Sequence, residues 1–172
     1  GKGQLDMVLP LFGELTEEQK ESPEALVTLA GFELAVGRYN QALITLGRLI
    51  KVRPDVAQYH YLKSRAYAGL GDLETLFAEL ERTLELDPNH FYAKIAMARW
   101  ALLSNQIDTF EKELAELRAM APDNPDVMKL EVSSAQSRRD DKSAMRLLET
   151  LFEQEPTTSN VIALAAHHQS VG

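Results

Sequence analysis

The chain of 172 residues has no cysteine and a single tryptophan, and aromatic residues make up only 7% of it. Without cysteine there is no disulfide framework and no thiolate for nucleophilic or metal chemistry. Positive charge is also short: 18 Lys and Arg stand against 26 Asp and Glu, a formal net charge of −8. That balance opposes association with a phosphate backbone, so nucleic acid is not an expected partner. No apolar run approaches the roughly 18 residues needed to cross a bilayer. Glycine-rich phosphate loops, Gly-x-Ser-x-Gly elbows and metalloprotease histidine pairs are missing, which leaves no catalytic constellation. His167 and His168 are adjacent, so on a helix they point about 100° apart and cannot readily share one ion. They read as surface or groove histidines, and neither cofactor nor metal is expected. The acidic run Glu111–Glu116, with Lys112 and Arg118 nearby, reads as a solvated helix face.

What the chain does have is repetition. Pro54, Pro88, Pro122 and Pro156 stand 34 residues apart, and Gly3, Gly37 and Gly71 keep the same step. Leu46, Leu80, Leu114 and Leu148 form a third series with that period. Three residue types in one register define a repeat array, in which each unit buries its apolar face on its neighbours. With the proline at position 32, four complete units begin at Pro23, Ala57, Phe91 and Pro125. The domain organisation is a half repeat over 1–22, repeats over 23–56, 57–90, 91–124 and 125–158, and a half repeat over 159–172. Both half repeats are read as cut from a longer array, so that Val8, Leu11 and Phe12 at one end and Val161, Ile162 and Leu164 at the other belong to uncovered stripes. Such stripes favour weak self-association or a mobile terminal helix. Pro10 would kink or delay its helix.

Each unit reads as two helices. Apolar residues at positions 17, 20, 24 and 27 step by three and four, as in Tyr39, Ala42, Leu46 and Leu49, which makes one helical stripe. The second helices are predicted over Tyr39–Val52, Leu73–Leu86, Ile107–Met120 and Asp141–Gln154. The first helices are predicted over Pro23–Val36, Ala57–Leu70, Phe91–Ser104 and Pro125–Arg138. Position 15, where the turn falls, holds Gly37, Gly71, Asn105 and Arg139; the first three tolerate a left-handed backbone and the arginine does not fit. The position-32 prolines end the second helices. Ser22, Asp55, Asn89 and Asn124 are the candidate N-caps, with Pro23 and Pro125 at the first helical position.

The residues Gly37-Arg-Tyr39-Asn-Gln-Ala42, Gly71-Asp72-Leu73 and Leu84-Glu-Leu-Asp-Pro88 resemble the tetratricopeptide repeat. The second unit departs from that pattern at Lys63, Ser64 and Thr83, and the fourth at Glu131 and Arg139. The resemblance implies an all-α, right-handed alpha-alpha superhelix of about ten antiparallel helices, and a non-catalytic scaffold that binds a partner peptide or protein in its concave groove. The segment Glu155-Pro-Thr-Thr-Ser-Asn160 and the Ala/Leu-rich stretch after it also resemble tetratricopeptide lipoproteins of bacterial exosortase systems, which accompany exopolysaccharide production. That implies a bacterial envelope location, with the cytoplasm as alternative, and a rival role as a structural spacer with no groove ligand.

In tetratricopeptide arrays, positions 2, 5, 9 and 12 of the first helices line the groove. Carried onto this chain, that face holds Gln58, Tyr61 and Arg65 in the second unit, Tyr92, Ile95 and Arg99 in the third, and Lys129 in the fourth. Tyrosine and arginine are enriched at binding hot spots. The set suits a protein or peptide partner with acidic and apolar groups; the opposing reading is that Arg65 and Arg99 merely pair with nearby carboxylates. Family members that clamp an acidic C-terminal peptide carry asparagines on these helices, and this chain lacks them.

Overall fold

A computed structural model describes residues 13–171, and among them there are ten helices and no strand. In chain order they are α1 (Glu17–Lys20), α2 (Pro23–Ala35), α3 (Tyr39–Val52), α4 (Ala57–Leu70), α5 (Leu73–Leu86), α6 (Phe91–Leu103), α7 (Ile107–Met120), α8 (Pro125–Ser137), α9 (Asp141–Gln154) and α10 (Thr158–Val171). All four second helices lie where the periodicity puts them, and the first helices match to within one residue. The expectations for Gly3, Val8, Pro10, Leu11 and Phe12 lie outside the described residues. The short α1 was not anticipated. Its signal is a capping box, Thr16-Glu17-Glu18-Gln19: the Gln19 amide donates to Thr16 Oγ1 (3.2 Å) and the Thr16 amide to Gln19 Oε1 (2.9 Å).

Two backbone devices recur in every complete repeat. At position 15 the chain turns through a left-handed residue: Gly37 (φ 75°), Gly71 (φ 76°), Asn105 (φ 56°) and Arg139 (φ 58°). The next amide then reaches back five residues to close the helix, from Arg38 to Glu33, Asp72 to Tyr67, Gln106 to Ala101 and Asp140 to Ala135, at 2.8–3.0 Å. Arg139 adopts the conformation although its Cβ disfavours it. At the other end, Arg53, Asp87, Ala121 and Glu155 each precede a proline and leave the helix with φ between −154° and −137°. That is the extended backbone a following proline enforces.

The N-caps correct two expectations. Ser22 and Asn124 accept from helix-start amides as expected. Asp55 does not: Val56 occupies the cap of α4, with no side-chain bond. Nor does Asn89, since at the start of α6 the Ala93 amide donates to Nδ1 of His90 at 3.2 Å.

The chain divides into two compact units, residues 1–93 and 94–172, with the boundary inside α6. In the first, α2 through α5 pack as consecutive hairpins, and α2 also touches α4. Its core gathers Leu26, Ala30 and Leu34 from α2, Ala42, Leu46 and Leu49 from α3, and Tyr59, Leu62 and Ala66 from α4. Burial of each large side chain contributes about 1.5–3 kcal/mol. In the second unit α8, α9 and α10 pack in sequence, with Met128, Val132, Leu148 and Leu151 at the centre.

The departures from the repeat pattern are each accommodated. Thr83 is fully buried and its hydroxyl donates to its own helix at Glu79 O (2.7 Å). Ser64 does the same to Tyr61 O (2.7 Å). Lys63 pairs with Glu79, and Glu131 accepts from Arg118. No buried side-chain nitrogen or oxygen among the described residues lacks a partner, as the cost of an unmet buried polar group requires.

Candidate functional site

In the first unit Tyr61 and Arg65 lie one turn apart on α4, and Tyr92 stands at the start of α6. The Tyr61 and Tyr92 rings stack at 6.3 Å between centroids with planes 27° apart, and Tyr92 is 59% exposed. Between these elements sits His90, its ring 4.8 Å from Tyr61. Its protonation pattern follows from its neighbours. The Ala93 amide can only donate, so Nδ1 accepts; Nε2 therefore carries the proton and donates to Gln58 Oε1 at 3.0 Å. His90 thus caps α6, ties α4 to it through Gln58, and props the Tyr61 ring. Sequence reasoning missed it, although it stands at the head of the aromatic run His90-Phe91-Tyr92. Arg65 is exposed and forms no ion pair among the described residues. The arrangement offers flat apolar area beside a hydrogen-bonding donor fork.

The second unit places its residues differently. Arg99 reaches Asp126 Oδ1 at 2.8 Å, with the two side chains 54% and 44% exposed, so here the carboxylate-pairing reading applies. Ile95 is only 4% exposed, which makes it a packing residue and corrects its place on the binding face. Lys129 is exposed at the rim of a groove of about 380 Å³, whose lining includes Val132 and Gln136 of α8, Leu148 and Leu151 of α9, and Ala163 of α10. His167 also lines it but is 5% exposed, with Nε2 3.2 Å from Asp141 O, while His168 faces solvent. This groove was not foreseen, because α10 contributes half of it through small residues that carry no signal alone. The Glu111–Glu116 run is not the solvated face expected: Glu113 is 5% exposed and bonded to Lys94, and Glu111 accepts from Ser134 Oγ at 2.6 Å. No group of three or more His, Cys, Asp or Glu among the described residues could hold a metal ion, and no described helix is long and apolar enough to cross a membrane.

Residues 1–66 match the family model described as tetratricopeptide repeat. That part of the chain is thus similar to the tetratricopeptide repeat. The fold agrees along nearly the whole chain. TTC0263, a tetratricopeptide protein of Thermus thermophilus, is 23% identical with a TM-score of 0.77, covering 97% of this chain and 92% of its own. MamA from Desulfovibrio magneticus RS-1 is 18% identical with a TM-score of 0.70, covering 86% and 84%. YrrB, described as a tetratricopeptide protein with an unusual peptide-binding site, is 15% identical with a TM-score of 0.66, covering 95% and 84%. No curated protein sequence matches the chain. The comparisons support the tetratricopeptide family and give no support to the resemblance to exosortase-system lipoproteins. Tetratricopeptide-repeat proteins in general are non-catalytic and mediate protein–protein interactions.

Proposed function

We propose that this chain is a non-catalytic interaction scaffold whose first-helix faces bind a partner peptide, with the strongest surface at Gln58, Tyr61, Arg65 and Tyr92. The observation that carries the reading is the exposed Tyr92 ring stacked on a half-buried Tyr61, beside an arginine with no ion pair among the described residues. A peptide with an aromatic or aliphatic anchor would lie on the rings, and an acidic group would meet the Arg65 fork. A similar fold in YrrB carries a peptide-binding site by its description, which makes such a surface reasonable here. In the second unit Lys129, at the rim of its groove, is the corresponding cation, and Arg99 would first have to leave Asp126.

Selection from a random peptide library tests this. Enriched sequences are expected to pair an acidic residue with an aromatic or aliphatic one, and both Arg65→Glu and Tyr61→Ala/Tyr92→Ala should weaken binding at least about tenfold. Failure to enrich any sequence, or binding untouched by these substitutions, would favour the spacer role instead. Stability is the control: reversing Arg65 and Arg99 together should cost at most about 1 kcal/mol per site, since both are exposed.

A further inference from the structure

We propose that the outer face of α3 binds an acidic amphipathic helix of a partner protein, at a surface separate from the first-helix face. Asn40, Ile44, Gly47, Arg48, Lys51 and Val52 step by three and four along α3, so they share a face, opposite the buried stripe of Ala42, Leu46 and Leu49. All six are exposed, Ile44 at 60% and Val52 at 74%. The repeat supplies its own comparison, because the same six positions recur in the other second helices. There they carry Glu74, Glu81 and Glu85 in α5, Asp108 and Glu116 in α7, and Glu149 and Glu153 in α9. In α3 they carry no acid, two cations and two large aliphatic side chains. The surrounding stretch agrees: from Leu34 to Pro54 there are four Arg and Lys and no Asp or Glu, in a chain of net charge −8.

That charge selects the occupant. Lys51 forms no ion pair among the described residues, and Arg48 meets Glu21 in an exposed pair that a partner's carboxylate can replace. Gly47 lies at the middle of the face, where glycine weakens a helix. A Cβ there would meet nothing within 4 Å, so no packing inside the molecule calls for the glycine. It leaves a flat patch on which another helix can lie close. Aliphatic side chains beside cations fit a helix that presents apolar residues with carboxylates one turn away. An anionic membrane fits less well, since the net charge of −8 repels an extended acidic surface, whereas a single helix meets only the local charge.

The probe is a display library of helical peptides of about 15 residues, randomised along one face. Selection on the unmodified protein should enrich sequences with Leu or Ile flanked three or four residues away by Glu or Asp. Their binding should fall at least about tenfold in Ile44→Glu and in Arg48→Glu/Lys51→Glu, with an unchanged helical circular dichroism spectrum. Gly47→Gln should weaken binding while raising the melting temperature, a combination that a merely structural defect does not give. Arg65→Glu should leave the binding of these peptides unchanged, which separates this surface from the first-helix face. Failure to enrich acidic helices, enriched helices indifferent to the α3 substitutions, or binding to phosphatidylserine vesicles in their place would overturn the proposal.

Discussion

Lys94 Nζ lies 3.3 Å from Oε2 of Glu113, with the two side chains only 6% and 7% exposed. They occupy positions 4 and 23 of the third repeat. In the second repeat the same positions hold His60 and Glu79, with Nδ1 to Oε2 at 2.7 Å. In the fourth they hold Met128, in the apolar core, and Leu147, half-buried and packed against it. One structural slot is therefore filled by an ion pair in one repeat and by hydrocarbon in another.

That comparison predicts opposite outcomes for single and double substitution. Lys94→Ala should destabilise the protein by about 3–5 kcal/mol, because it strands a buried carboxylate. Lys94→Met with Glu113→Leu, which copies the fourth repeat, should be neutral or stabilising. Urea denaturation at neutral pH measures both.

The same slot has a pH signature. Burial pulls Lys94 downward, but hydrogen bonding to Glu116 and the charge and hydrogen bond of Glu113 outweigh it, so its pKa is raised. A lysine raised by folding contributes stability that is whole below its unfolded value of about 10.4 and is lost as pH rises through the folded one. The hydrogen bond from Lys94 lowers Glu116, whose contribution is present above about pH 4.3 and is lost in acid. The stability difference between the native chain and the Met/Leu variant should hold steady across neutral pH and drift against the native chain at both extremes.

Glu33 should behave in the opposite sense. Burial raises its pKa, with partial relief from the Thr45 hydrogen bond and Arg38. Folding then favours its protonated form, so the charged form detracts from stability at neutral pH and the loss disappears as pH falls through the raised value. Glu33→Gln keeps an acceptor for Thr45 and should stabilise by up to about 1 kcal/mol at pH 7.5. The gain should shrink in melts run at progressively lower pH.

Much of the fold was legible because prolines and glycines act on the backbone locally, and their spacing shows in one dimension. What could not be read depends on partners far along the chain. Glu113 looked solvated because its cation lies 19 residues earlier. Ile95 sits in the groove register, yet packing buries it. His90 carried no signal of its own in the sequence, and only the fold shows that it caps α6 and supports Tyr61. Asp55 had capping chemistry but not the geometry. Register alone put Tyr61 and Tyr92 on first helices, whereas the stacking of their rings and the pairing of Arg99 with Asp126 required the fold.

Arg139 gives a prediction of its own. The turn closes around it as firmly as around the glycines, so the topology overrides the residue and strain remains. Arg139→Gly should raise stability by about 1 kcal/mol, and Gly71→Ala should lower it by a similar amount. Thermal melts of the two variants should shift in opposite directions.

Two helix-interior glycines should also respond with opposite signs. A Cβ on Gly69 would overlap the Tyr39 ring, whereas nothing lies within 4 Å of one on Gly47. Gly69→Ala should cost about 1–3 kcal/mol through overpacking. Gly47→Ala, at an exposed site on α3, should add about 1 kcal/mol from helix propensity.

The recurring turn and pre-proline exit give the chain something like a reading frame. A residue inserted within a helix rotates everything after it by about 100° and turns the core stripe outward until the next exit resets it. Each exit is fixed by its own backbone angles, so the error is confined to one helix. Duplication or deletion of a whole 34-residue unit keeps every stripe in phase. Lengthening the array is therefore a tolerated change, and a single-residue slip inside α3 or α9 is not.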